Sequence, residues 1–314
     1  VNNENTGPIE PIIAVCGSIN MDLVVRCQAL PVVGQTVTAE SATEVCGGKG
    51  ANQAVAAAKA GGKVTLIGRV GDDAFANRLI TNLHQQRVGC DRVSATSNCA
   101  SGLAIVAVED SGHNAIMLVP GANGHVSLED IQANQSAIAG ASVLLLQLEI
   151  PTASVLAAIR IARDAGVRCV LDPAPVCQDW TDELLQVDLV CPNETEAAAI
   201  TGLPVATLAE AETAARQLQQ RGARHVIITL GERGVLVLFG KELHHVQATP
   251  IRPVDTTAAG DAFAGALSVR WAETDDLLEA VRFASVAGAL AATRPGAQPS
   301  LASRHEIESL RNPT

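Results

Sequence analysis
Short apolar runs of strand length alternate with longer helix-like stretches along most of this chain, and few architectures accept that rhythm. The apolar runs occupy residues 12–16, 64–67, 143–148, 169–171, 189–191, 226–229 and 235–239. Helix-like stretches fall between them at 51–60, 74–86, 153–165, 194–201 and 208–221. Apolar strands interleaved with helices predict an α/β fold, a mostly parallel sheet with helices on both faces. Ligands of such a sheet bind outside the carboxyl ends of its strands. Asn20, Glu149, Asp172 and Asn193 follow apolar runs and so fall where a ligand belongs. Two segments break the alternation. Residues 23–38 and 101–120 read as β without helices between, the second with a hairpin signal at Asp110-Ser111-Gly112-His113. The expected organisation is one α/β domain over 1–314, carrying a small accessory sheet from two inserts at about 23–45 and 101–120.

Composition narrows the partners. The 33 acidic residues against 22 basic ones give a formal charge of −11, which argues against a nucleic-acid ligand, since that needs a basic footprint. An anionic ligand must then be held by local devices such as helix dipoles, backbone N–H groups and a metal ion. Aromatics are only 2%, without tyrosine, so platforms for stacking bases or sugars are scarce. No apolar run approaches the roughly 20 residues of a membrane span, and residues 1–10 lack the basic and apolar regions of a signal peptide. The eight cysteines have no metal-like or disulfide-framework spacing. Buried reduced thiols and a cytoplasmic location are expected.

Two small-residue turns carry the chemistry. In Asp255-Thr256-Thr257-Ala258-Ala259-Gly260-Asp261-Ala262-Phe263 a polar turn narrows to small residues and enters a helical segment over 262–271. Small residues let backbone approach a ligand closely, and a helix N-terminus offers unpaired N–H groups and partial positive charge to an anion. Asp261 at that helix start can take a proton from a hydroxyl. An anion cradle beside a base is what phosphoryl transfer to an alcohol needs. Taken alone, the run reads equally well as a turn with a helix-start carboxylate. Gly47-Gly48-Lys49-Gly50-Ala51-Asn52-Gln53 opens the helix at 51–60 and by itself is an ordinary tight loop.

Together and in this order, the two runs resemble the two signatures of the ribokinase family of carbohydrate kinases. The resemblance continues in Gly17-Ser18-Ile19-Asn20-Met21-Asp22, Gln147-Leu148-Glu149, Asp172-Pro173-Ala174-Pro175, Pro192-Asn193-Glu194-Thr195-Glu196, Thr229-Leu230-Gly231-Glu232-Arg233-Gly234 and Arg294-Pro295-Gly296-Ala297-Gln298-Pro299-Ser300. It covers the chain from about residue 12 to 300. It implies a ribokinase-like fold with a β-sheet lid over the sugar, lids of two subunits packing as a homodimer, and ATP, Mg²⁺ and K⁺ as cofactors. The implied activity is ATP-dependent phosphorylation of D-ribose at O5, with 2-deoxyribose or a nucleoside as alternative acceptors.

Residue by residue, the resemblance gives Asp261 the role of base and the backbone of Ala258, Ala259 and Gly260 the anion cradle. It gives Asn20, Asp22, Gly48, Lys49, Asn52, Glu149 and Asp261 itself to the sugar. Asn20 and Asp22 would otherwise be turn formers, and Glu149 a strand-end charge. Asn193 and Glu196 are implied at Mg²⁺ and its waters, although their spacing also fits a capping box. Thr229, Gly231, Gly234, Gly260 and Ser285, with Asn193 and Glu196, are implied at the nucleotide, and Asp255, Thr257, Ala291, Arg294, Gly296 and Ser300 at K⁺. No Gly-x-x-x-x-Gly-Lys-Ser/Thr loop occurs, so backbone amides must replace a phosphate-binding lysine. Two departures stand out: Ala259 replaces a common glycine, and Asp172 stands where asparagine is frequent. A non-catalytic sugar-binding protein is disfavoured by retention of both Asp261 and the anion turn.

Overall fold
A computed structural model describes residues 10–109 and 113–311; the hairpin tip expected at Asp110-Ser111-Gly112 lies outside the described residues. In chain order the strands are β1 (Ile12–Cys16), β2 (Asn20–Cys27), β3 (Ser41–Gly47), β4 (Lys63–Val70), β5 (Val88–Ala95), β6 (Gly102–Glu109), β7 (Asn114–Val119), β8 (Val143–Leu146), β9 (Arg168–Leu171), β10 (Leu189–Val190), β11 (His225–Thr229), β12 (Val235–Phe239) and β13 (Glu242–Val246). The helices are α1 (Lys49–Lys59), α2 (Ala74–Gln85), α3 (Leu128–Ala133), α4 (Gln135–Ala139), α5 (Thr152–Ala165), α6 (Glu194–Thr201), α7 (Leu208–Gln220), α8 (Ala259–Thr274), α9 (Leu277–Ala292) and α10 (Arg304–Arg311).

Nine strands form one sheet in the order β13-β12-β11-β10-β9-β8-β1-β4-β5. The run from β11 to β5 is parallel, and β12 and β13 add antiparallel at one edge. Residues along β1 alternate between two cores: Ile13 and Val15 face one, Ala14 and Cys16 the other. The first core is closed by α1, α2, α8, α9 and α10, the second by α3 to α7. Each fully buried aliphatic side chain contributes about 1.5–3 kcal/mol, which is why the central strands are apolar on both faces.

After β1 the chain runs outward through β4 and β5, then returns to β8 on the other side of β1. The crevice at the carboxyl ends of β1 and β8 is therefore the topological switch point, where ligands of open α/β sheets bind. A second sheet, β3-β2-β6-β7, adjoins this end of β1, since only three residues separate β1 from β2.

Several expectations needed adjustment. The accessory strand expected over 23–38 stops at Cys27; residues 28–40 carry no strand, and β3 lies at 41–47. Pro31 cannot donate to a ladder, and Gly34 turns at φ 83°. The smaller sheet also starts earlier than residue 23, because Asn20 and Met21 already pair with Gly47 and Cys46. The strand expected to 148 ends at Leu146, and Leu148 leaves the ladder to donate to the Ala174 carbonyl while staying buried. Strands β5 and β13 escaped prediction because edge strands are half-exposed and mix polar with apolar residues. All eight cysteines are free, and five are buried. Among the described residues, no helix is long and apolar enough to cross a membrane.

Helices α1 and α8 meet where Gly265 faces Ala56. A Cβ at 265 would come within 2.6 Å of both the Ala56 methyl and the Gln53 carbonyl oxygen. Gly265→Ala should therefore destabilise the fold by about 1–3 kcal/mol, the usual cost of overpacking a tight core. Equilibrium denaturation with an unshifted midpoint would show that the two helices can separate freely.

Candidate active site
The two turns singled out in the sequence come together at the switch point. Gly48 precedes α1 with φ 90°, and a Cβ there would meet the Asn20 backbone nitrogen at 2.7 Å. The glycine thus lets the start of α1 press against the strand that follows β1. From α1, Asn52 Nδ2 donates to Asp261 Oδ2 at 2.9 Å and Gln53 Nε2 donates to Asp261 Oδ1 at 3.0 Å. Asp261 is buried, with 5% exposure. Two amides from one helix therefore grip both oxygens of a carboxylate on another.

Asp261 is the third residue of α8, which starts earlier than the expected residue 262. Ala258 caps that helix in the left-handed conformation, φ 59°. The methyl of Ala259, in place of a common glycine, sits inside the helix and meets no backbone restriction. The Ala259 N–H donates to the Thr256 carbonyl at 3.2 Å. Among the described residues, nothing accepts from the N–H groups of Gly260 and Asp261. These are free donors at the positive end of a 16-residue helix. They flank a cavity of about 190 Å³ whose lining includes Lys49, Asp172, Asn193, Glu196, Thr229 and Asp261.

Asn193 and Glu196 do form the capping box: Asn193 Oδ1 accepts from the Glu196 N–H at 2.9 Å, and Glu196 Oε2 accepts from the Asn193 N–H at 2.8 Å. Both also line the cavity, so the capping box leaves the pair beside it. Gly231, Gly234 and Ser285 do not line it. Gly234, at φ 87°, is required by the close passage of the Val246 carbonyl, and the Ser285 hydroxyl donates to the Val281 carbonyl at 2.8 Å.

Toward the smaller sheet, Glu149 Oε2 accepts from the Ser18 hydroxyl at 2.5 Å and from the Lys49 N–H at 3.2 Å. Asn20 Oδ1 accepts from Asn123 Nδ2 at 2.6 Å. The Asn52 Oδ1 acceptor is buried and has no partner among the described residues. Asp22 is half-buried against Gly47, and no donor among the described residues reaches its carboxylate. Burial, with Glu149 and Asp261 nearby, pushes its pKa up to about 7.

Beyond the anion turn, Asp255 Oδ1 accepts from the Thr257 N–H at 2.9 Å and Oδ2 from the Gly296 N–H at 2.8 Å. Burial alone would raise this carboxylate; the hydrogen bonds from Thr257 and Gly296 outweigh it and hold the pKa below the usual range. Asp255 thereby straps the 293–300 loop to the start of α8. The Arg294 side chain turns away to Glu306, the Ala291 carbonyl accepts from the Arg294 N–H, and the Ser300 hydroxyl donates to the Ala297 carbonyl.

Sequence reasoning assigned no role to Gln53, Ser18 or Asn123, and it placed Asp172 at the ligand end of the sheet without a specific role. Gln53, Ser18 and Asp172 lay inside the quoted motifs, so a signal was present; Asn123 is joined to the site only by tertiary contact.

A buried carboxylate beside free helix amides, at a switch-point crevice, is an arrangement suited to phosphoryl transfer to an alcohol. The chain belongs to the pfkB family of carbohydrate kinases, whose model matches residues 11–304. It is 38% identical over 295 residues to a ribokinase of Haemophilus influenzae, covering 94% of this chain and 96% of that one. It is 36% identical over 302 residues to a deoxyribokinase of Salmonella typhi, covering 95% and 99%. An Arabidopsis thaliana ribokinase solved with ribose and ATP superposes with a TM-score of 0.88 at 32% identity, covering 98% of this chain and 100% of that one.

The raised Asp22 pKa has a measurable consequence. An unfolded aspartate titrates near 3.8 and the folded one near 7, so the fold binds this proton more tightly than the unfolded chain. That contribution to stability is complete below pH 3.8 and is lost as pH rises to about 7. In ligand-free protein, the gain in melting temperature from Asp22→Asn should grow from pH 4 to 7 and level off above. A pH-independent difference would rule out the buried charge as its cause.

Proposed function
We propose that this protein transfers the γ-phosphoryl group of ATP to the O5 hydroxyl of D-ribose, giving D-ribose 5-phosphate and ADP. The observation that carries this reading is Asp261, held by two amides at a helix start beside the N–H groups of Gly260 and Asp261 itself, which are unpaired among the described residues. In this reading Asp261 takes the proton of the primary hydroxyl as its oxygen attacks the γ-phosphorus in line. The amides of the turn from Ala258 to Asp261 stabilise the charge spread over the transferred group. Lys49 is the only basic side chain among the cavity's lining residues. Burial alone would lower its pKa; Asp172, Asp261, Glu149 and Glu196 outweigh that and keep it firmly charged.

The sugar side is formed by Asn20, Asp22, Gly48, Lys49, Asn52 and Glu149. The unpartnered Asn52 Oδ1 and the donor-free Asp22 carboxylate suit hydroxyls, each of which donates and accepts. The small sheet contributes aliphatic residues and no aromatic one, which suits a free sugar better than a nucleoside. Thr229, Gly231, Gly234, Asn193 and Ser285 are assigned to the nucleotide. For Mg²⁺ the donors fit an ion held mainly through water and phosphate: capping occupies Asn193 Oδ1 and one Glu196 oxygen and leaves the second Glu196 oxygen uncommitted. Bound there, Mg²⁺ would neutralise charge on the phosphates. For K⁺ the fit rests on hard oxygens, the Asp255 carboxylate with Thr257, Ala291, Arg294, Gly296 and Ser300. We read the chain as one domain with β3-β2-β6-β7 as a lid. Ile116, Met117, Leu118 and Val119 on its exposed outer strand support pairing of two lids in a homodimer.

Asp261→Asn should fold and bind ribose but lose about 10²–10⁴-fold in turnover, the usual cost of removing a general base. Retention of more than half of wild-type turnover would remove Asp261 as the base. Activity should rise with K⁺ and poorly with Na⁺, through the shape of the anion turn; equal rates in K⁺-free buffer would reduce the 293–300 loop to a helix stop. A polar site built for a hydroxyl penalises a ligand lacking it, so kcat/KM should favour ribose over 2-deoxyribose. The opposite preference would transfer the assignment to 2-deoxyribose.

A further inference from the structure
Beneath Asp261 lies a buried polar chain that the reaction above does not use. Gln53 is fully buried. Its Oε1 accepts from Gln147 Nε2 at 2.5 Å. Its Nε2 donates to Asp261 Oδ1 at 3.0 Å and to Asp172 Oδ2 at 2.7 Å. An amide nitrogen has two hydrogens, so one serves each carboxylate and the donor is saturated. Turning the Gln53 amide over would set its oxygen against both carboxylates, so they fix its orientation. Asp172 is itself buried, and its Oδ2 lies 3.8 Å from the Lys49 ammonium. Asp172 thus engages both the amide that aims Asp261 and the lysine that faces the cavity.

We propose that Gln53 and Asp172 are positioning residues: Asp172 anchors the Gln53 amide, Gln53 aims the Asp261 carboxylate, and the same Asp172 charge holds Lys49 over the cavity. This deepens the proposed function and rests on Asp261 being the base. Gln53 is enclosed and need touch neither ligand. The wiring is economical in donors: Asp261 receives one N–H per oxygen, from Asn52 and Gln53, and keeps its remaining lone pairs for an incoming hydroxyl. Without Gln53, Asp261 Oδ1 loses its donor and the carboxylate can rotate about its last torsion. A displacement of about 1 Å in a reacting group can cost on the order of 10²-fold in rate.

The test compares Gln53→Leu, Asp172→Leu and Asp172→Asn with wild type and Asp261→Asn, using ribose and ATP. Gln53→Leu should lower kcat by about 10²-fold, with KM for both substrates within about threefold, because aim is lost and binding is not. Asp172→Leu should fall comparably, since Gln53 loses its anchor. Asp172→Asn keeps an oxygen for Gln53 Nε2 and loses only the charge toward Lys49, so it should recover roughly tenfold relative to Asp172→Leu. Should Gln53→Leu not fold, the Asp172 pair decides alone: equal kcat in the leucine and asparagine variants overturns the proposal. So does a folded Gln53→Leu with near-wild-type kcat, or one whose loss is all in KM. If wild type phosphorylates no sugar, the proposed function fails. If wild type is active, Asp261→Asn shows its large loss of turnover and Gln53→Leu keeps near-wild-type kcat, only the positioning role fails.

Discussion

The site depends on how closely α1 approaches α8. Gly265 removes the side chain that would keep Ala56 and the Gln53 carbonyl at a distance, and the gap that remains is one that two amides on α1 can bridge to a carboxylate on α8. On the other flank of α1, Gly50 permits the same intimacy: a Cβ there would lie 2.5 Å from the Gly17 carbonyl carbon and the Ser18 nitrogen. Helix α1 is thus wedged between the end of β1 and the start of α8. Its first two turns bring Lys49 to the cavity and set the Asn52 and Gln53 amides on Asp261.

Charge is managed locally, not globally. The chain carries a formal charge of −11, and Asp22, Glu149, Asp172, Glu196 and Asp261 are crowded enough to perturb one another or Lys49. Burial, together with Glu196 and Asp261 and against the opposing Lys49 and Gln53, raises the Asp172 pKa to about 7. Such an arrangement would repel an anion were it not for one ammonium and the unpaired amides of α8. Fixed dipoles require no reorganisation when charge develops, which makes them effective partners for a phosphoryl group in a confined site.

How much of this was legible in the sequence depended on whether the physics was local. The parallel sheet was readable because strands buried on both faces must be apolar throughout, whereas β5 and β13 sit at edges and obey no such rule. The capping box of Asn193 and Glu196 was readable because both halves lie within one helical turn. Asp261 at a helix start was readable, but the left-handed Ala258 was not, since alanine gives no hint of a positive φ. The bond from Gln53 to Asp172 spans 119 positions; Gln53 stood in plain view in its motif, and nothing in its neighbours pointed to the aspartate. The β reading of 23–38 failed because it weighed apolar content above Pro31 and Gly34.

The smaller sheet has a bearing on how such a molecule can change. Its four strands come from 20–47 and 102–119, whereas α8, the Asp255 strap and the loop at 293–300 come from the last fifth of the chain. On the proposed reading, the groups that grip the acceptor and those that handle the phosphate are therefore written in separate stretches of sequence and meet only in space. Drift or recombination confined to the early stretches can retune which small polyol is held while the transfer apparatus is inherited intact. Gln53 and Asp172 sit at the seam between the two, and there such inheritance would be least forgiving.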